Sequence, residues 1–217
     1  MDRSKLKLTL ILAAVILPLS LATISYNFLQ SRGGIATTNN GKLIIPVLDI
    51  TDFAMLDEQG MPAFQSFEEL IAGVDAEDYE PAPWRLIFLG SHSCDQVCGD
   101  RLFYLRQLHR LLGSDEDRVA RLYVNVSAGS EDGRSLDEQT LQMFQEAFSM
   151  MRVVYSDGEA LSTALSSLLP EGADPVSEHY IFVADPLGNV MLYFTPENTP
   201  DEILEDLEKL LARSSLG

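Results

Sequence analysis

The chain has 217 residues, room for one domain and an appendage. It carries 33 acidic against 15 basic residues, a formal net charge of -18. That balance argues against nucleic acid as a partner, which would need a basic patch, and suits a soluble domain that meets cations or basic partners.

The first segment differs in kind from the rest. Arg3, Lys5 and Lys7 precede a run from Leu8 to Phe28 without a charged residue. About 20 apolar residues span a bilayer as a helix, and the basic cluster marks the cytoplasmic side. Pro18 interrupts the run, which membrane helices tolerate. Ser20-Leu21-Ala22 would also suit a cleaved signal peptide, but the apolar run continues to Phe28 and favours an uncleaved anchor. Residues 1–29 are therefore read as a single-pass anchor in the cytoplasmic membrane, with the remainder on the exported, periplasmic side. Residues 30–41 are rich in Ser, Gly, Thr and Asn and read as a flexible tether.

Residues 42–217 alternate strands and helices. Leu43–Ile50 reads as a strand, Phe53–Gly60 as a short strand with a turn, and Phe67–Val74 as an amphipathic helix. The acidic, Pro-containing stretch Asp75–Pro83 is a loop. Trp84–Leu89 is a buried strand, followed by a helix from Gln96 to Leu112 with leucines at 102, 105, 108, 111 and 112. Then come a strand (Val119–Val126), a loop (Ser127–Ser135), a helix (Leu136–Met150), a strand (Arg152–Tyr155) and a helix (Asp157–Leu169). His179–Ala184 and Val190–Phe194 are joined by so few residues that they must form an antiparallel hairpin. Pro200–Ala212 is the last helix. This order predicts an α/β domain with a mixed central sheet flanked by helices, closing as a thioredoxin-like fold does.

The chain holds two cysteines, Cys94 and Cys98, at the seam between the Trp84–Leu89 strand and the helix after it. Four apart on a helix they share a face, and a helix N-terminus favours the thiolate. The thiolate is both a nucleophile and a soft metal ligand, so the pair can close a disulfide, hold a metal ion, or both. In an exported, oxidising compartment the disulfide persists.

Three marks together resemble the Sco/SenC family of thioredoxin-like copper proteins, over about Phe53 to Ala212. These are Phe53-Ala54-Met55-Leu56-Asp57-Glu58-Gln59-Gly60, the Cys94-x-x-x-Cys98 pair after Leu86–Gly90, and Asp185-Pro186-Leu187-Gly188. The anchor and tether fit as well. The resemblance implies a role in cytochrome c oxidase assembly, by copper delivery or by reducing the receiving cysteines, with an oxidase subunit or another assembly factor as partner. It implies Cys94 and Cys98 as copper ligands or exchanging thiols. The family's third ligand, a histidine, would fall near Ser177. The nearest histidine is His179, and a two-residue slip keeps the same face of a strand. The chain departs from the family at Asp95 and Gly99, where prolines are usual, which marks a divergent member.

Two other readings stand beside this one. The pair serves a metal-free thiol–disulfide oxidoreductase, or the disulfide is structural and the acidic domain is an assembly scaffold. Of the remaining residues, His92 is a fallback ligand or a modulator of the thiols. His109 reads as a solvated helix residue, Asp95 as a helix cap, and Met143, Met150 and Met151 as core.

Overall fold

A computed structural model describes residues 3–31, 39–66, 68, 69, 72, 82–127, 135–156 and 158–214. The chain divides into two compact units, Met1–Thr38 and Asn39–Gly217. In the first, Arg3–Ser31 forms helix α1, with Pro18 inside it. Its side chains Leu12, Val15, Leu17, Leu21 and Ile24 are all exposed. Among the described residues no helix is long and apolar enough to cross a membrane.

The second unit is built on a six-stranded sheet. In chain order its elements are β1 (Lys42–Asp49), β2 (Trp84–Gly90), α2 (Gln96–Leu111), a 3-10 turn (Gly113–Arg118), β3 (Val119–Asn125), α3 (Glu138–Ala147), β4 (Arg152–Tyr155), α4 (Gly158–Ser166), β5 (Ile181–Ala184), β6 (Asn189–Phe194) and α5 (Pro200–Arg213). The strand order is β1-β6-β5-β2-β3-β4. β2, β3 and β4 run parallel, as their helical crossovers require, and β5, β6 and β1 add antiparallel pairings. This is the mixed, thioredoxin-like sheet expected from the sequence.

The sheet is covered on both faces, so β2 reads as a continuous apolar run. Its pleat sends Leu86 and Phe88 into one core with Leu102, Leu105 and Leu108 of α2, Phe144 of α3 and Leu207 of α5. Ile87 and Leu89 enter the other, with Leu161 and Leu165 of α4. Local chemistry sets the element ends. Thr199 and Glu202 form a reciprocal capping box with Pro200 in the first turn of α5. At the β5–β6 hairpin Asp185 accepts from the backbone N–H groups of Leu187 and Asn189, and Gly188 takes the positive φ (89°) that closes the turn.

Three expectations need correction. Phe53–Gly60 is no strand: Leu56 alone bridges to Tyr155 and Pro62, and the Asp57 carboxylate, paired with Arg152 at 2.6 Å, holds the turn. His179 is not in a strand, since β5 begins at Ile181. His109 is buried, with Nε2 2.5 Å from the Val119 carbonyl and Nδ1 3.2 Å from Glu116. The helix expected over Phe67–Val74 and the loops Asp75–Pro83 and Ser127–Ser135 lie largely outside the described residues.

Candidate thiol site

β2 ends at Gly90, and the chain turns through Ser91, His92 and Ser93 to Cys94. Helix α2 starts only at Gln96, with Asp95 as its N-cap: the carboxylate accepts from the Cys98 backbone N–H at 2.9 Å. Cys94 therefore precedes the helix instead of sharing its face. That placement brings the Cα atoms of Cys94 and Cys98 to 5.3 Å, well inside the range a disulfide needs, and the two are bonded.

The loop is pinned from two sides. Tyr123 of β3 donates its phenol to the Ser91 carbonyl at 2.8 Å, and burial raises that phenol's pKa. From α3, the Asp137 N–H donates to the His92 carbonyl (2.8 Å), and the buried Thr140 hydroxyl accepts from the Cys94 N–H (2.9 Å). Asp137 caps α3, and the Thr140 backbone N–H and hydroxyl, with His92 adding less, hold its carboxyl below the usual range. The Cys94 backbone is thus held by Thr140, 46 positions downstream. Thr140 and Tyr123 were not singled out from the sequence; Asp137-x-x-Thr140 before an apolar pattern is a capping signal that points at this helix start, though not at its cysteine contact.

The two sulfurs differ. Cys98 is 4% exposed within the core, while Cys94 is half-buried. They also open on different clefts. Cys94 lies with Asp95, Phe103, Thr140, Met143 and Phe148 in a cleft of about 480 Å³. Cys98 lies with Ser91, Ser93, Asp95, Asp174 and His179 in one of about 280 Å³.

His179 reaches that cleft by a turn, not by a strand pleat. Asp174 accepts from the Val176 N–H and the Ser177 hydroxyl, the Tyr180 N–H donates to the Pro175 carbonyl, and His179 sits at the end of the turn with φ 55°. Its ring stacks on Phe88 at 5.7 Å, and its Nδ1 is buried without a hydrogen-bond partner. Ser177 lines the same cleft. His92 is exposed and lines neither cleft. Met143 borders the Cys94 cleft and Met151 is core, but Met150 is 77% exposed, against expectation.

Among the described residues no group of three or more His, Cys, Asp or Glu side chains is placed to hold a metal ion. With the sulfurs bonded to each other neither is a thiolate, so soft-metal ligation demands reduction first. Reduction would free two sulfur donors, one of them in the cleft that holds the unpartnered imidazole nitrogen. That donor set fits Cu(I) or Zn(II).

Among curated proteins none matches the chain. Solved structures similar in fold include yeast Sco1 with copper bound, at 10% identity and TM-score 0.52, covering 82% of this chain and 96% of that one. Apo Sco1 from Thermus thermophilus matches at 18% identity and TM-score 0.51, covering 82% and 99%. A SCO1/SenC family lipoprotein from Bacillus anthracis matches at 14% identity and TM-score 0.50, covering 81% and 99%. At these identities the likeness is one of fold, the thioredoxin-like fold expected from the sequence. The family model described as transmembrane-like, thioredoxin-like, C-terminal domain matches residues 84–214, which hold the cysteine pair, its pinning strands and helices and the closing hairpin, and the chain belongs to that family.

Proposed function

We propose that the chain is a membrane-anchored, Sco-like protein whose Cys94–Cys98 pair exchanges with the cysteines of a client on the exported side of the membrane. The observation that carries this reading is the unequal placement of the sulfurs: Cys94 open to a cleft just before a helix N-terminus, Cys98 buried beneath it. In the reduced form the Cys94 thiolate attacks a client disulfide, and the displaced client thiolate takes a proton. The Cys98 thiolate then attacks the Cys94 sulfur and releases the second client thiol. The client gains two electrons and two protons, and this chain ends with the disulfide seen here. A dithiol reductant resets it. The Sco resemblance supports a respiratory oxidase subunit or assembly factor as client, and the basic cluster Arg3, Lys5 and Lys7 before the uncharged run Leu8–Phe28 of the sequence supports the anchor.

Copper delivery is the second reading, favoured by the unpartnered His179 Nδ1 in the Cys98 cleft. Copper is then cargo. The reduced sulfurs and His179 would hold it, and exchange with a client disulfide, which takes the two electrons, would close Cys94–Cys98, remove both sulfur ligands and release it.

The two separate cleanly with the full chain in detergent micelles. With oxidised glutathione, Cys98→Ser should accumulate a mixed disulfide through Cys94, and Cys94→Ser should not. Equal trapping by both variants would sink the assignment of Cys94 as the attacking thiol. For the copper reading, the reduced chain should bind Cu(I) one-to-one and lose that binding in His179→Ala; retention in that variant removes His179 from the ligand set.

A further inference from the structure

The pleat of β3 turns Val119, Arg121 and Tyr123 to one face. Val119 and Tyr123 belong to the apolar core there, yet the residue between them is an arginine, only 4% exposed. Its Nε and Nη1 are buried without a hydrogen-bond partner, as is the Nε of Arg106. A guanidinium cannot shed its charge in a protein, so burial without partners is costly. Desolvation lowers the pKa of Arg121 most, and its neighbours Arg106 and Arg110 lower it further, while Glu116 opposes them.

These three arginines line one cleft of about 240 Å³ with His109, Glu116 and Glu146. Arg106 is held in place: Nη1 donates to the Ala147 carbonyl at 2.8 Å, and its guanidinium lies over Phe103 (4.9 Å) and Phe148 (5.7 Å). The acids of the cleft have partners of their own. Glu116 lies 3.2 Å from His109 Nδ1, and Glu146 accepts from Gln142 at 2.8 Å. A protein of net charge -18 thus gathers three guanidinium groups around a polar opening and leaves buried donors unfilled.

We propose that this cleft is a binding site for a carboxylate, received by the Arg121 and Arg106 donors with Arg110 at the rim. The planar guanidinium fork matches a carboxylate in two-point contact. Three guanidinium groups against two carboxylates leave the cleft a net positive charge for a carboxylate to balance. At about 30 Å³ per water, the space holds a group of a few heavy atoms with its waters. The carboxylate comes either from a free small acid or from an acidic side chain or C-terminus of a partner protein. The site is independent of the cysteine chemistry, and Ala147 and Phe148 border both this cleft and the Cys94 cleft.

The test follows the arginine Nε–Hε resonances of the ¹⁵N-labelled full chain in detergent micelles. Acetate, succinate, an acidic peptide, inorganic phosphate and chloride are titrated at fixed ionic strength. The expected result is a saturable shift of the Arg121 and Arg106 signals with a carboxylate, weakened about tenfold or more in Arg110→Gln, which removes a charged donor from the exposed rim. Arg121→Met should abolish the shift of the Arg106 signal and the carboxylate-induced rise in Tm. Saturation by acetate or succinate identifies a free acid as sufficient; saturation by the peptide alone identifies a partner-borne carboxylate. Shifts no larger than with chloride, shifts unchanged in the variants, or tighter binding of phosphate would overturn the proposal.

Discussion

Reducing Cys94–Cys98 should cost the domain little, and the magnitude separates an exchanging pair from a staple. The bonded residues are four apart, so the closed loop holds five residues counting both cysteines. In the chain-entropy account a loop of that length removes about 7 cal/mol/K from the unfolded ensemble, about 2 kcal/mol at 25 °C, against about 4.7 kcal/mol for a 100-residue loop. Nothing local adds much to that figure. Asp95 caps α2 through a backbone N–H, which is present in both redox states. A free thiol at the buried Cys98 position behaves as a small hydrophobe. For a domain of this size about 2 kcal/mol corresponds to a fall in Tm of about 4–8 °C. The single tryptophan, Trp84, is 5% exposed at the start of β2 and reports the core directly. Thermal unfolding of the full chain in detergent, followed by its fluorescence with and without excess dithiothreitol, measures the difference. A loss above about 4 kcal/mol, or a reduced chain without a cooperative transition, would exceed what so small a loop can supply. It would show that the bond does more for the fold than close a small loop, and would favour the scaffold reading.

Thr140→Val keeps the side-chain shape but removes the acceptor of the Cys94 N–H; it should lower stability by about 1–3 kcal/mol in urea unfolding, with Thr140→Ser recovering most of it. Gly90→Ala would drive a Cβ into the Tyr123 ring, which is fully buried and held by Phe88 and Phe144; we expect a loss of about 1–3 kcal/mol by the same assay, and little change there would mean the ring can yield. On acidification, Asp57 and Asp137 act in one direction. The Arg152 hydrogen bond holds Asp57 below the ordinary aspartate value of 3.8, and the Thr140 backbone N–H does so for Asp137. A depressed folded-state pKa stabilises the fold above the unfolded value and is lost as pH falls through the folded one, so both contributions should fade below about pH 4. The double variant Asp57→Asn, Asp137→Asn should flatten that part of the stability–pH curve; an unchanged slope would place the acid sensitivity elsewhere.

The sequence was most readable where a residue's environment is set by its own segment. β2 and α2 were legible because an apolar run and a leucine spacing each match one period, and Asp95 because an N-cap is a local hydrogen bond. It was least readable where a distant segment decides. His109 follows a buried leucine on α2 and looks solvated by position, but β3 passes close enough for the Val119 carbonyl to take its Nε2. Arg121 breaks the apolar alternation of β3 because a cleft lies over it. The sequence reads His179 as the first residue of a strand because β-branched and aromatic residues follow it, whereas Asp174 and Pro175, a turn signal also present in the sequence, bend the chain just before it. The same division runs through the thiol site. Two cysteines four apart announce sulfur chemistry, but which sulfur faces outward depends on where α2 begins and on α3 reaching back through Thr140 to the Cys94 N–H. The polarity of the pair, with Cys94 outward and Cys98 inward, is therefore a property of the assembled fold. Changes in α3 should alter exchange at Cys94 even where both cysteines and the capping Asp95 are untouched.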